Sequence, residues 1–188
     1  VQIDNNNCGA CGNVCGPGLG CFGGMCQAGP SYVPVGPQLN VPLATVTNGG
    51  WVECYRDLYN NSATPMATIT GQCNRNRVMV GCRRTGAATI QLLAWAPRTD
   101  VFFDTGNGNN NVHPGNGTDW YYSTGYSMGF VAAGTGVSRN SCDTGNAMPD
   151  QRLCFHTGGG NINGGYRCGQ NAGLNGDVNY ERVFYHAN

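Results

Sequence analysis

Arg77-Val78-Met79-Val80-Gly81-Cys82-Arg83-Arg84-Thr85-Gly86-Ala87-Ala88-Thr89-Ile90-Gln91-Leu92-Leu93-Ala94-Trp95-Ala96-Pro97 is the stretch whose reading decides the fold class. Its first half is a short apolar run that stops at a turn cluster with Gly86. Its second half has a composition compatible with helix, but Ile90 and Leu92 alternate with Thr89 and Gln91, and Pro97 closes the run. That alternation reads as strand. Outward from these two runs, from residue 43 onward, the same pattern of short apolar segments between turn residues recurs. Candidate strands are 43–47, 51–59, 66–72, 77–83, 88–95, 99–104, 119–123, 127–133, 151–156, 164–168 and 180–186. Strands at this spacing predict an all-β domain over residues 43–188, a disulfide-stabilised sandwich or barrel.

Roughly 146 residues suffice for one hydrophobic core, and Trp51, Trp95 and Trp120 are expected in it. The Asn/Gly tracts 105–118 and 157–165 read as long loops. The similar Asn48-Gly49-Gly50-Trp51 and Asn163-Gly164-Gly165-Tyr166 read as tight turns that open strands.

Two segments precede this domain. Residues 1–27 form a cysteine-rich head with Cys8, Cys11, Cys15, Cys21 and Cys26 among Gly and Asn. So small a piece needs cross-links and is expected to hold little regular secondary structure. Residues 28–42 contain four prolines and read as an extended, semi-rigid arm.

The chain has 188 residues, with 31 Gly, 10 acidic groups and 10 basic groups. Every basic group is Arg, and the formal net charge is zero. Charged residues make up 11% of the chain, against about 25% in an ordinary soluble domain. Nucleic-acid binding and adhesion to anionic lipid both need clustered cations, so neither is expected. No apolar run approaches the roughly 18 residues of a membrane helix. Eleven cysteines suit an oxidising compartment. An extracellular location, secreted or at the cell surface, is therefore expected, with a leader already removed. Asn60-Asn61-Ser62 and Asn116-Gly117-Thr118 are candidate glycosylation sequons at Asn60 and Asn116.

The β domain holds six cysteines, Cys54, Cys73, Cys82, Cys142, Cys154 and Cys168, which can close internally in fifteen ways. The head's five cannot close among themselves. The odd thiol stays free, pairs with the β domain, pairs with residues upstream, or crosses to another chain. Asn7-Cys8-Gly9-Ala10-Cys11-Gly12-Asn13-Val14-Cys15, followed by Cys21 and Gly24-Met25-Cys26, resembles the small N-C-G-x-C-G-x-x-C module of secreted bacterial surface proteins and of the plant stigma-specific family. The resemblance covers the first 27 residues and implies an extracellular, disulfide-held, non-enzymatic module. The family's module commonly has six cysteines, and Ala28 stands where a final one would be. The β domain resembles only uncharacterised secreted domains.

Several motifs imitate catalytic sites. Gly125-Tyr126-Ser127-Met128-Gly129 matches the G-x-S-x-G nucleophile elbow, and Asp143 or Asp150 followed by His156 completes the order Ser, Asp, His. The elbow needs a strand-to-helix turn, and residues 130–150 do not read as a helix. Asp104-Thr105-Gly106 and Asp143-Thr144-Gly145 copy the D-T-G of aspartic proteases but lie too close together for two lobes. They read as turns in which Asp accepts backbone hydrogen bonds. Asp104, Asn107 and Asn109 offer the best oxygens for a calcium ion, without the dense carboxylates of an established loop. Cys8-x-x-Cys11 lacks the second half of a zinc site. His113, His156 and His186 show no metal spacing. No catalytic residue, metal or cofactor is expected.

The segment 116–126 is the best recognition candidate. Asp119, Trp120, Tyr121 and Tyr126 combine flat rings with polar partners, as sugar binding requires. The competing expectation puts Trp120 and Tyr122 in the core and Tyr121 outward. Low charge, an odd cysteine and an arm able to add a strand to a neighbour's sheet favour a non-enzymatic structural or adhesive surface protein. Such a protein self-associates into a filament or coat through its arm and head. The alternative is a carbohydrate-binding module, and a serine hydrolase is the more distant one.

Overall fold

In the computed structural model, which describes residues 4–17, 19–22 and 24–188, residues 77–97 form two adjacent antiparallel strands. Along the chain the strands are β1 (Leu19–Phe22), β2 (Met25–Ala28), β3 (Gln38–Pro42), β4 (Val52–Leu58), β5 (Arg77–Arg84), β6 (Thr89–Pro97), β7 (His113–Gly115), β8 (Thr118–Tyr122), β9 (Ser127–Ala132), β10 (Arg139–Asn140), β11 (Cys142–Asp143), β12 (Leu153–Gly158), β13 (Asn161–Cys168), β14 (Asn171–Ala172) and β15 (Tyr180–Ala187). Short helices α1 (Leu43–Asn48), α2 (Met66–Gln72) and α3 (Arg98–Val101) and a 3-10 turn at Pro149–Gln151 complete the set.

Two large sheets result, ordered β3-β6-β5-β15-β4 and β14-β13-β12-β9-β8-β7. Val80, Cys82, Leu92, Ala94 and Phe184 of the first sheet share one buried cluster with Trp120, Met128, Phe130, Leu153 and Phe155 of the second. The domain is therefore a sandwich, and the Cys82–Cys168 disulfide joins its two sheets. The all-β, disulfide-rich expectation holds.

Each sheet is also covered on its outer face. Met79, Leu93, Val183 and Tyr185 pack outside the first sheet with Val46 of α1, Trp51 and the half-buried Tyr32 of the arm. Tyr121, Val131 and Cys154 pack outside the second sheet with Val137 and Cys142 from the segment between β9 and β12, which the Cys142–Cys154 disulfide fastens down. Double coverage explains why Val78 to Arg83 are buried without a break. A strand with both faces buried loses the polar half of its alternation.

The arm is not free. Trp51 Nε1 donates to Tyr32 O at 2.7 Å and Trp95 Nε1 to Pro34 O at 2.7 Å. The Gly36 N–H donates to Asn116 O at 2.9 Å, and β3 pairs with β6 as the sheet's own edge strand. Residues 32–42 thus pack against the β domain, and their end forms a strand of its sheet.

Three candidate strands are helices. In 66–72 the buried residues are Met66 and Ile69, a helical i, i+3 pair that delivers Cys73 to Cys54. In 43–47 only Val46 is buried, after Pro42 has ended β3. In 99–104 the chain forms α3 after Pro97, and Arg98 anchors it by donating to Cys73 O and Thr70 O. Residues 157–165 are no loop but the hairpin joining β12 and β13, and Asn163-Gly164-Gly165-Tyr166 lies inside β13 beside a register shift. Gly165 is needed there because the Tyr59 ring covers its Cα: a Cβ would sit 2.0 Å from a ring carbon. Gly49 and Gly50 do form the turn before β4. In the head, β1 and β2 pair as a short ribbon, more order than expected.

Candidate functional site

The ten arginines divide in two. Arg83, Arg139, Arg152, Arg167 and Arg182 are buried. Each guanidinium faces polar groups of another segment. Arg152 donates to Asp143 Oδ2 at 2.7 Å and to Gly136 O, and Arg167 donates to Gly145 O and Gly169 O. Arg83 pairs with Glu181 at 2.6 Å. Arg182 lies between the rings of Tyr59 and Phe155, 5.1 Å from each, and 3.1 Å from Asp57. Neither that Nε nor that Oδ1 makes a hydrogen bond, so the Arg182–Asp57 contact is one of charge alone. A planar fork with five donors does this work and an ammonium does not, which suits Arg to these five buried positions.

The calcium candidates meet one of these cations. Arg139 Nη2 donates to Gly106 O and Gly108 O at 2.8 Å, and its backbone N–H donates to Asn109 O. Asp104 Oδ1 accepts the Gly106 N–H, and Asn107 Oδ1 accepts Ser123 Oγ–H. The loop is organised around a guanidinium, so Asp104, Asn107 and Asn109 are not gathered as a metal cage. Among the described residues, the ligand atoms close enough to share an ion are the sulfurs of Cys8, Cys15 and Cys26. These belong to the Cys8–Cys21 and Cys15–Cys26 disulfides.

The sugar-platform residues are likewise engaged. Trp120 is buried and donates Nε1–H to Gly115 O. Tyr121 points to the outer side of its sheet, as the alternation says, but the segment between β9 and β12 covers it, and its hydroxyl donates to Leu153 O at 2.8 Å. Tyr126 OH donates to Arg139 O, and Asp119 Oδ2 accepts the Gly134 N–H. Neither Trp120 nor Tyr121 offers a ring face to solvent. Asn60 is exposed at the end of β4, open to modification. Asn116 Nδ2 spends both hydrogens on Pro34 O and Trp95 O, so a glycan on that nitrogen would undock the arm.

Ser127 begins β9 in an antiparallel sheet with no helix after it, and its buried Oγ has no hydrogen-bond partner. His156 Nδ1 instead meets Ser141 Oγ at 2.9 Å. Burial pushes the His156 imidazole below its ordinary value, against an opposing hydrogen bond with Asn175. Asp143 is held by Arg152, and Asp150 lies on the rim cleft described below. Asp143 Oδ1 accepts the Gly145 N–H and Asp104 Oδ1 that of Gly106, so both D-T-G segments are turns. His113 Nε2 lies 3.1 Å from Asp100, and His186 is buried on β15.

Two features remain that offer groups to the outside. The first is the head. Its two disulfides leave Cys11 unpaired and exposed, and Val14, Leu19 and Met25 are 63%, 39% and 62% exposed beside it in sequence. The second is a cleft of about 620 Å³ at one rim of the sandwich, lined from both sheets by Asn40, Arg84, Gln91, Asp150, Asn171 and Tyr180 among others. No local sequence pattern marks this cleft, because its residues come from six separate elements.

No family model, curated protein or solved structure matches the chain. Among the described residues no helix is long and apolar enough to cross a membrane. The five disulfides mark a protein suited to an oxidising environment.

Proposed function

We propose that this protein is a secreted structural or adhesive subunit that joins an extracellular assembly through its head. The observation that carries the reading is the head's surface: one exposed, unpaired Cys11 on a module that also displays Val14, Leu19 and Met25. An accessible thiol in an oxidising compartment finds a partner, and exposed apolar side chains favour contact between molecules. The partner proposed is a second copy of this chain.

The arm drops out of this role because it already fills its own sheet edge. The other edges resist strand addition as well. β7 has 3 residues and β14 has 2, and β4 carries Glu53, Arg56 and Asp57. Short or charged edges are poor templates for a neighbour's strand. Joining through side chains of the head does not need them.

The test is native mass under oxidising and reducing conditions, for the intact chain and for Cys11→Ser. The reading expects a reducible dimer or larger species that Cys11→Ser abolishes. A second variant, Val14→Ser with Met25→Ser, should slow dimer formation. A wild-type chain that stays monomeric under both conditions overturns the proposal.

A further inference from the structure

We infer that the rim cleft is a binding site for a saccharide unit bearing a carboxylate, a uronic-acid residue of an extracellular polysaccharide. The site is independent of the head and of its proposed role in assembly.

Covalent and polar ties fix the segments that line the cleft. Cys82–Cys168 joins the sheets next to the lining residue Gly169, and Gln91 Nε2 donates to Cys168 O at 2.9 Å. The Gly169 N–H donates to Arg152 O, and the hairpin that carries Arg84 is fixed by Arg83 Nη1 on Ala87 O. The ladder passes from Leu39 opposite Leu92 to Val41 opposite Ile90, which leaves Asn40 at φ 52 facing Gln91. Met148, just before the turn that presents Asp150, is also left-handed at φ 47. Strained non-glycine residues collect where the surrounding structure fixes a surface for binding, and of the four among the described residues two stand on or beside this cleft.

Arg84 supplies the main recognition group. Its guanidinium lies 4.6 Å over the ring of Tyr180, its cross-strand neighbour. Among the described residues it has no hydrogen-bond or ion-pair partner. A guanidinium held over a ring without hydrogen-bond partners keeps its donors free, and that fork matches a carboxylate in two parallel bonds. Asp150 has no hydrogen-bond or ion-pair partner either, and as a carboxylate it accepts only. The Gln91 carbonyl oxygen and the amides of Asn40, Gln170 and Asn171 add donors and acceptors. Hydroxyl groups satisfy such a mixture, whereas a bare sulfate has nothing to donate to Asp150. A ligand that combines one carboxylate with several hydroxyls fits both halves, and the volume is that of a small-ligand site.

The experiment is calorimetric titration of the intact chain with oligomers of galacturonate, glucuronate and alginate, beside a carboxyl-reduced oligogalacturonide of the same length. At least one acidic oligomer should bind about tenfold or more tightly than the reduced one, and Arg84→Gln should bring the two to the same level without moving the melting temperature. Thr89→Trp, which fills the cleft and leaves Arg84 in place, should abolish binding, and it decides the matter if Arg84→Gln fails to fold. The inference is overturned if no acidic oligomer is preferred, if binding survives Thr89→Trp, or if inorganic sulfate competes as well as the acidic oligomer.

Discussion

Gly129 illustrates how a residue that imitates a catalytic motif is explained by packing. It closes the G-x-S-x-G match, but a Cβ there would lie 2.0 Å from Leu153 O and 2.5 Å from the Tyr121 hydroxyl. Those two atoms form the hydrogen bond that ties β8 across β9 to β12. Gly129→Ala should therefore destabilise the fold by about 1–3 kcal/mol, as overpacking of a tight interior does. Urea denaturation under non-reducing conditions measures this, and an unchanged midpoint would refute the packing account. Ser127→Ala, two residues earlier, removes a buried hydroxyl without a partner and is the natural control. Trp120 shows what the sequence conveyed at this scale: alternation placed it in the core, where it is. Tyr121 shows the limit, because alternation names a face and cannot say what lies on that face.

Among the elements, the arm departs furthest from its sequence. Four prolines suggest a spacer, yet its carbonyls accept from Trp51, Trp95 and Asn116, and its end becomes β3. Proline removes donors and leaves acceptors, so an arm of this composition docks best against donors supplied by side chains. Asn116, itself left-handed at φ 50, provides one to Pro34 O and gives its second hydrogen to Trp95 O of β6. Replacing Asn116 by Gly keeps that backbone conformation and removes the two bonds, and it should cost about 1–3 kcal/mol through the loss of both, with Pro34 O keeping only its bond from Trp95 Nε1. Limited proteolysis should then cut within 28–37 before the rest of the domain. Equal protection in variant and wild type would show that the docking does not depend on Asn116. The misread helices have a related cause. Met66 to Gln72 is β-branched in part and short, and it is helical because Cys73 must reach Cys54 and Ile69 must reach the core.

For the whole molecule, burial of His156 and His186 makes stability depend on pH. Burial holds both imidazoles below the ordinary histidine value in the fold. The unfolded chain then takes up protons first as pH falls, so stability is full above about 6.5 and declines as pH drops through that value. Below the folded-state values it levels off. Between about pH 8 and about pH 5.5 the melting temperature should fall more for wild type than for a His156→Gln/His186→Gln variant. Parallel curves would show that these residues do not carry the dependence. By itself the sequence determined the fold class, because strand periodicity and turn residues are local properties of the backbone. It also determined that the cysteine imbalance belongs to the head, since counting needs no structure. The disulfide pairs, the docking of the arm, the burial of half the arginines and the cleft at the rim were decided only by the tertiary structure. Each depends on residues far apart in the chain, and nothing in their separate neighbourhoods records which of them will meet.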